Sequence, residues 1–339
     1  MLLLVIVLAS TVLWMAGGMR APGPRAVVPR TVGEPPPVGA APATLTVVTW
    51  NIAWAYGWGS EGTGTRKKSQ AEIEDSLQAM GRWLRAVGAD VVLLQEVDTG
   101  ARRSHGIDQG EVLSRAAGLA YYAPAESWSV NYLPFPYWPP SRHFGRLRSG
   151  GAVLSRFPIT EASVELLSKP AAQPRIYRLF YLFRYVIRCR IALGGGESVR
   201  VYNVHLETPD GAARALQAAR VADILRADTG GAVIFGGDVN SPPPEARVRA
   251  GYPDEPATDH RDDAAAALFR SLPGLVDTVS PEAYLRDEPA WFTFPSHAPN
   301  RKLDYLFASA DLTVDEVRVG REAGTSSDHL PLVARLRLR

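Results

Sequence analysis

Cysteine is nearly missing from this 339-residue chain. Cys189 stands alone, which excludes an internal disulfide and a thiolate zinc site. A single thiol suits a cytosolic protein, and equally an exported one that does without disulfides, so it says nothing about compartment. An excess of one charge is lacking too. With 37 Lys and Arg against 35 Asp and Glu, the formal net charge is +2, and charge alone implies no polyanion-binding stripe. No repeat of fixed period is present, and no second linker interrupts the chain after residue 44. What remains is ordinary for a globular protein with a full core: 46% hydrophobic and 21% charged residues.

The N terminus departs from that composition. Leu2 to Met19 carry no charge and are mostly Leu, Val, Ile, Ala and Met. About 18 such residues lie near the lower limit for a membrane-spanning helix. A signal peptide competes with that reading, with Ala16-Gly17-Gly18 or Val38-Gly39-Ala40 as small-residue cleavage sites. Arg20, Arg25 and Arg30 follow the apolar run and no cation precedes it, an order that would keep the rest of the chain cytoplasmic. A basic segment upstream would reverse it, so sidedness stays open. The expectation is a hydrophobic signal or membrane-anchor segment over 1–19, making the protein membrane-anchored or exported. Residues 20–44, rich in Pro, Gly and Ala and containing Pro35-Pro36-Pro37, read as a semi-extended tether. Residues 45–339 read as one folded domain, expected as a monomer.

Within that domain strand and helix signals alternate. Leu45 to Trp50 is a β-branched apolar strand. Ser69 and Glu72 form a capping box ahead of a helix whose Ile73, Leu77, Met80, Leu84 and Val87 share a face, closed by Gly88. Val91 to Leu94, Val199 to Leu206, Ala232 to Phe235, Leu303 to Phe307 and Leu330 to Leu338 are further strands, and Asp210 to Ala227 is a helix.

Polar clusters end these strands: Trp50-Asn51, Gln95-Glu96, Asn203-Val204-His205, Gly237-Asp238-Val239-Asn240 and Ser327-Asp328-His329, while Leu303-Asp304-Tyr305 opens one. Such a scaffold points polar groups into one cleft. The inventory is carboxylates, amides and two histidines, a set that suits Mg²⁺ or Mn²⁺ rather than structural zinc. Hard cations that keep waters are typical where a phosphate supplies the remaining ligands.

Trp-Asn-Ile, Gln-Glu, Asn-x-His-Leu, Gly-Asp-x-Asn, Leu-Asp-Tyr and Ser-Asp-His, in this order from Asn51 to Pro331, resemble the endonuclease/exonuclease/phosphatase superfamily; Leu154-Ser155-Arg156-Phe157-Pro158 adds a further similar segment. Any one of these motifs is weak, whereas six in order span nearly the whole domain. The resemblance implies an α+β fold, a four-layer α/β-sandwich of two mainly antiparallel sheets packed face to face and flanked by helices. It also implies a metal-dependent phosphoric ester hydrolase acting on nucleic acid or a phospholipid headgroup phosphodiester. Carried over by residue, Asn51, Glu96 and Asp328 would hold Mg²⁺ or Mn²⁺. Asp238 and Asn240 would orient the attacking water, and His329, paired with Asp304, would face the transition state. His205 would be a second phosphate-facing imidazole, with Asn203 in support and Arg156 close to the substrate. A catalytically silent binding domain of the same fold is the alternative.

Plainer uses exist for each residue. Asp238 after two glycines could form only an Asx turn, Ser327 and Asp328 could cap a loop, and His329 could be a satisfied core imidazole. Asp98, His105, His143, His260 and His297 fall in none of the clusters and read as structural; the run from Asp254 to Asp263 reads as a solvated loop, and Cys189 as a small core residue. Two segments mix aromatics with cations. Trp128 to Pro140, followed by Arg142, Arg146 and Arg148, is either a proline-ordered loop packed on the core or a rim that selects substrate through Tyr137 and Trp138. Ile176 to Arg190 is either a strand pair with one buried face or a binding surface for bases or lipid headgroups.

Overall fold

A computed structural model of the chain describes residues 1–17, 22–35, 37, 39–58, 67–228 and 230–339. Helix α1 (Leu2–Ala16) leads into two short strands, β1 (Gly23–Ala26) and β2 (Arg30–Thr31), and then β3 (Thr44–Asn51). Helix α2 (Gln70–Ala86), β4 (Val91–Asp98), α3 (Gln109–Ala117) and a long hairpin of β5 (Tyr121–Leu133) and β6 (Gly145–Ser155) follow. Next come β7 (Ile159–Leu166), α4 (Arg175–Phe180), β8 (Tyr185–Gly194), β9 (Glu197–His205), α5 (Gly211–Ala227) and β10 (Val233–Asp238). The last third holds α6 (Ala265–Arg270), β11 (Leu275–Asp277), α7 (Pro281–Arg286), β12 (Asp304–Ser309), β13 (Leu312–Val319) and β14 (Leu332–Leu338).

The strands form two seven-stranded sheets, ordered β1-β7-β8-β9-β10-β12-β11 and β13-β14-β3-β4-β6-β5-β2. Each has one parallel pair, β9–β10 in the first and β3–β4 in the second, and is otherwise antiparallel. Alternation along the strands makes the layers. Leu45, Val47, Val91 and Leu93 point into the core between the sheets, where they meet Ile187, Cys189, Val199, Val201, Ile234 and Leu306. Their neighbours Val48, Trp50, Val92 and Leu94 face the other way, against Ile73, Leu77, Met80 and Leu84 of α2 and Leu113 of α3. On the first sheet Tyr202, Val204, Phe235 and Phe307 face outward onto α5 and α6. Central strands are therefore buried on both faces, which explains their near-continuous apolar runs. The result is the four-layer sandwich the motifs implied. The capping box at Ser69 and Glu72 forms as read, its serine accepting from Glu72 N.

The uncharged N-terminal run is helical over 15 residues, and no helix among the described residues is long and apolar enough to cross a membrane. The boundary at 19/20, Pro36, and Gly18 and Val38 of the two cleavage sites lie outside the described residues. Within the expected tether, β1 pairs with β7, β2 pairs with β5, and Val32 is buried. Composition misled here because an edge strand needs only backbone groups, and a proline such as Pro24 is tolerated there. The segment Ile176 to Arg190 is not a strand pair. Leu166 of β7 already pairs with Tyr185 of β8, so residues 167–184 are the connection and include α4.

Candidate active site

Inward-facing positions change character along the sandwich. On β3 they read Leu45, Val47, then Thr49 and Asn51; on β9, Val199, Val201, then Asn203 and His205; on β12, Ala308, Leu306, then Asp304. One end of the interior is thus apolar and the other polar. Register gathers the polar ends: Tyr185 lies opposite His205, His205 beside Asp238, and Asp238 opposite Asp304, while Asn51 lies beside Gln95 in the facing sheet. Above this rung is a cleft of about 280 Å³ lined by Asn51, Glu96, His205, Asp238, Asn240, Asp328 and His329.

Local backbone devices aim these groups. A bulge between Gln95 and Val97 puts Glu96 at φ 55 and turns it into the cleft, where strict alternation would point it outward. Gly237 has φ 135, and a Cβ there would fall 2.0 Å from Val204 O, so the residue before Asp238 must be glycine. Asn240 also sits in the left-handed region, at φ 54. Backbone held in such sparsely populated regions clusters at functional sites.

His329 Nδ1 lies 2.9 Å from Asp304 Oδ2 and its Nε2 lies 3.7 Å from Asp238 Oδ2. Burial disfavours charge on this ring, yet Asp304 and Asp238 outweigh it and raise the imidazole to about 10. Asp238 is pushed up to about 6 by burial, with His329 pulling down and Asp304 pushing further up. Its Oδ1 accepts from Asn240 N at 3.0 Å, an Asx turn, while Oδ2 accepts from Asn51 Nδ2 at 3.1 Å and faces both histidines. The turn reading and the cleft reading of Asp238 therefore both hold, one for each oxygen.

His205 is a different imidazole. Arg184 Nη1 donates to its Nε2 at 2.6 Å, and burial together with Arg184 keeps the ring well below its ordinary value, hence neutral. Glu96 and Asp328 stand at the cleft wall. Burial raises both, Asp328 to about 6 with Glu96 contributing, and Arg184 is the main group opposing the rise at Glu96. Ser327 Oγ ties this loop to Asn51 O at 2.6 Å.

Two groupings could seat a cation. Asp238, Asp304 and His329 offer one ligand atom each within 4.8 Å of one another. His329 Nδ1 is taken up by Asp304 there, so an ion would have to replace a hydrogen-bonded ion pair. Asn51, Glu96 and Asp328 combine an amide oxygen with two carboxylates whose repulsion a cation relieves, and the donor chemistry suits a hard divalent ion.

Four expected substrate residues lie elsewhere. Asn203 is fully buried: its Oδ1 accepts from Gln95 Nε2 at 2.7 Å and its Nδ2 donates to Leu94 O and Ala152 O at 2.8 and 2.9 Å. That amide is consumed in bridging the two sheets. Arg156 pairs with Asp90 at the start of β4, the end of the sandwich away from Glu96. Tyr137 and Trp138, 71% and 80% exposed, sit in the β5–β6 hairpin loop and do not line the cleft. Conversely, His260, Asp254 and Glu255, read as structural or solvated, line the cleft, where His260 is held near Asp263 at 3.2 Å and both acids bind Arg301. Arg184 was visible only as one cation in an aromatic run; nothing in sequence spacing pairs it with His205.

Buried carboxylates, amides and imidazoles thus gather at one end of a two-sheet sandwich. The chain belongs to the Endonuclease/Exonuclease/phosphatase family, whose pattern it matches over residues 48–329. Among solved structures it is similar to an endonuclease/exonuclease/phosphatase from Beutenbergia cavernae, at 23% identity and TM-score 0.58, covering 88% of this chain and 72% of that one. It is also similar to a humanized D. rerio TDP2 (17% identity, TM-score 0.54, 87% and 100% covered). A mannosyl-6-phosphatase from Bacteroides thetaiotaomicron is alike to the same degree (17%, TM-score 0.55, 86% and 99%). These likenesses concern the fold. No curated protein matches the chain.

Proposed function

We propose that the protein is a divalent-cation-dependent hydrolase of phosphodiesters. The observation that carries this reading is His329, fixed between Asp304 at 2.9 Å and Asp238 at 3.7 Å on the floor of a cleft that also holds Glu96 and Asp328. Asn51, Glu96 and Asp328 would hold Mg²⁺ or Mn²⁺, which when bound neutralises a phosphoryl oxygen and the charge on the leaving group. Asp238 accepts the proton of the attacking water as its oxygen bonds to phosphorus and the ester P–O bond breaks. Asn240 directs that water. The His329 imidazolium, its tautomer set by Asp304, presents Nε2–H to the pentacovalent oxygens. Neutral His205, its Nε2 held by Arg184 and 3.5 Å from Asp238 Oδ2, lines the side of the cleft where the phosphoryl group would sit. Most of the work is positioning and charge stabilisation on a preformed scaffold.

The test is turnover of bis-p-nitrophenyl phosphate, DNA, RNA and sphingomyelin with Mg²⁺ or Mn²⁺, repeated after chelation and in Glu96→Gln. Cation-dependent hydrolysis that chelation abolishes reversibly is expected. Full activity after exhaustive chelation would overturn the cation's role, and inertness toward every ester with either ion would leave a catalytically silent binding domain.

A further inference from the structure

Beside the cleft, at the same end of the sandwich, lies a second hollow of about 400 Å³. Lys67, Lys68, Arg102, Arg103 and Arg142 line it, and among the described residues no carboxylate does. The most buried of these cations is Arg103, 7% exposed. Asp98 accepts from its Nε and Nη2 at 2.9 and 2.8 Å, and Trp54 lies 3.8 Å beneath its guanidinium, but Nη1 is buried without a hydrogen-bond partner. Lys68 is held by Ala55 O at 3.1 Å and Ser76 Oγ at 3.3 Å, and Asp98 answers Arg103, but the buried Nη1 of Arg103 is a donor that stays costly unless a ligand completes it.

The wall between hollow and cleft is strained. Ala53, Trp54 and Ala55 have φ of 45, 53 and 61, three successive non-glycine residues in the left-handed region. Gln109 Nε2 donates to Trp54 O at 2.6 Å and Ala53 N to Asn51 Oδ1 at 3.0 Å, fixing the turn. It places Asn51 on the cleft side and Tyr56 on the hollow side. The two spaces are neighbours across one turn of chain.

We propose that this hollow binds a second phosphate group of the substrate, one that is not hydrolysed, so that substrates carrying at least two phosphates are preferred. The inference rests on the phosphoester reading above. Clustered guanidinium and ammonium groups match a phosphate oxyanion in geometry and charge. Its source is either the backbone of a nucleic acid strand or a second phosphomonoester on a small molecule.

The full chain with Arg102→Glu and Arg142→Glu together tests this, since neither residue touches the cleft; Arg102→Gln with Arg142→Gln serves if charge reversal impairs folding. In the charge-reversed protein KM should rise about tenfold or more on oligothymidylate or a sugar bisphosphate, with kcat and turnover of bis-p-nitrophenyl phosphate unchanged. A rise for oligothymidylate alone identifies a strand backbone, and a rise for the bisphosphate alone identifies the small-molecule source. Calorimetric titration with pyrophosphate reads the hollow independently of catalysis, and its affinity should fall in parallel. Unchanged pyrophosphate affinity and unchanged KM would overturn the proposal. A wild-type protein that binds pyrophosphate through these arginines yet hydrolyses nothing would instead overturn the phosphoester reading and leave the anion site standing.

Discussion

At the scale of the residue, His329 and Asn203 show how one polar cluster type serves opposite ends. His329 keeps one nitrogen for Asp304 and turns the other to the cleft. His329→Gln and Asp304→Asn are each expected to lower kcat by roughly 10²-fold or more with the fold intact, checked by steady-state kinetics and circular dichroism. The pH profile follows from the same pair. If Asp238 takes the proton as proposed it must be ionised, so turnover should fall as pH drops through about 6; if His329 acts as the proposed imidazolium, turnover should also fall as pH rises through about 10. In His329→Gln the alkaline limb should vanish and the acid limb remain. Asn203 instead spends its whole amide on Gln95 and two backbone carbonyls between the sheets. Asn203→Ala strands those partners in a dry interior and should cost about 1–3 kcal/mol in denaturant melts. A variant that instead keeps full stability and loses substrate affinity would restore Asn203 to the substrate.

At the scale of the element, the N-terminal segment divides into a part that the domain needs and a part that it does not. Leu2 to Leu8 of α1 are exposed, and Asn131 Nδ2 bonding to Trp14 O at 2.9 Å is a surface contact. Removing residues 1–17 should change stability by less than about 1 kcal/mol. Removing residues 1–34 also deletes β1, β2 and buried Val32, uncovering an edge of each sheet, and should cost at least about 2 kcal/mol, as burial of one valine alone suggests. Equal melting temperatures for the two truncations would show the strands to be dispensable. The same segment marks where composition stops being informative: strand pairing at an edge is a property of backbone groups, and Gly-Pro-Arg-Ala has no apolar alternation to announce it.

At the scale of the whole molecule, the polar end of the sandwich stores charge repulsion that a ligand can discharge. Burial holds Glu96 and Asp328 above the usual carboxylate range, with Asp238 pushing Glu96 further up and Glu96 pushing Asp328. A cation that binds there and not to the unfolded chain should raise stability, by about 2.7 kcal/mol at a hundred times its Kd. Differential scanning calorimetry with and without Mg²⁺ should show the rise in wild type and lose it in Glu96→Gln. An equal rise in both would move the ion to another seat, the Asp238, Asp304 and His329 grouping being the first to examine.

The sequence alone determined a good deal. Continuous apolar runs marked central strands, each ending in a polar cluster, and those clusters in order disclosed the family, because chemistry of this kind needs particular side chains at strand ends. Local signals such as the Ser69 capping box were legible because they involve residues three apart. Tertiary structure decided the rest. Register put His205, Asp238 and Asp304 on one rung and Arg184 against His205. It also sent Arg156 to the far end, spent Asn203 between the sheets and brought His260 into the cleft wall. Each of these depends on which strand lies beside which, and on how far along. Those choices are made by the packing of two sheets against each other, and no spacing within a single segment encodes them.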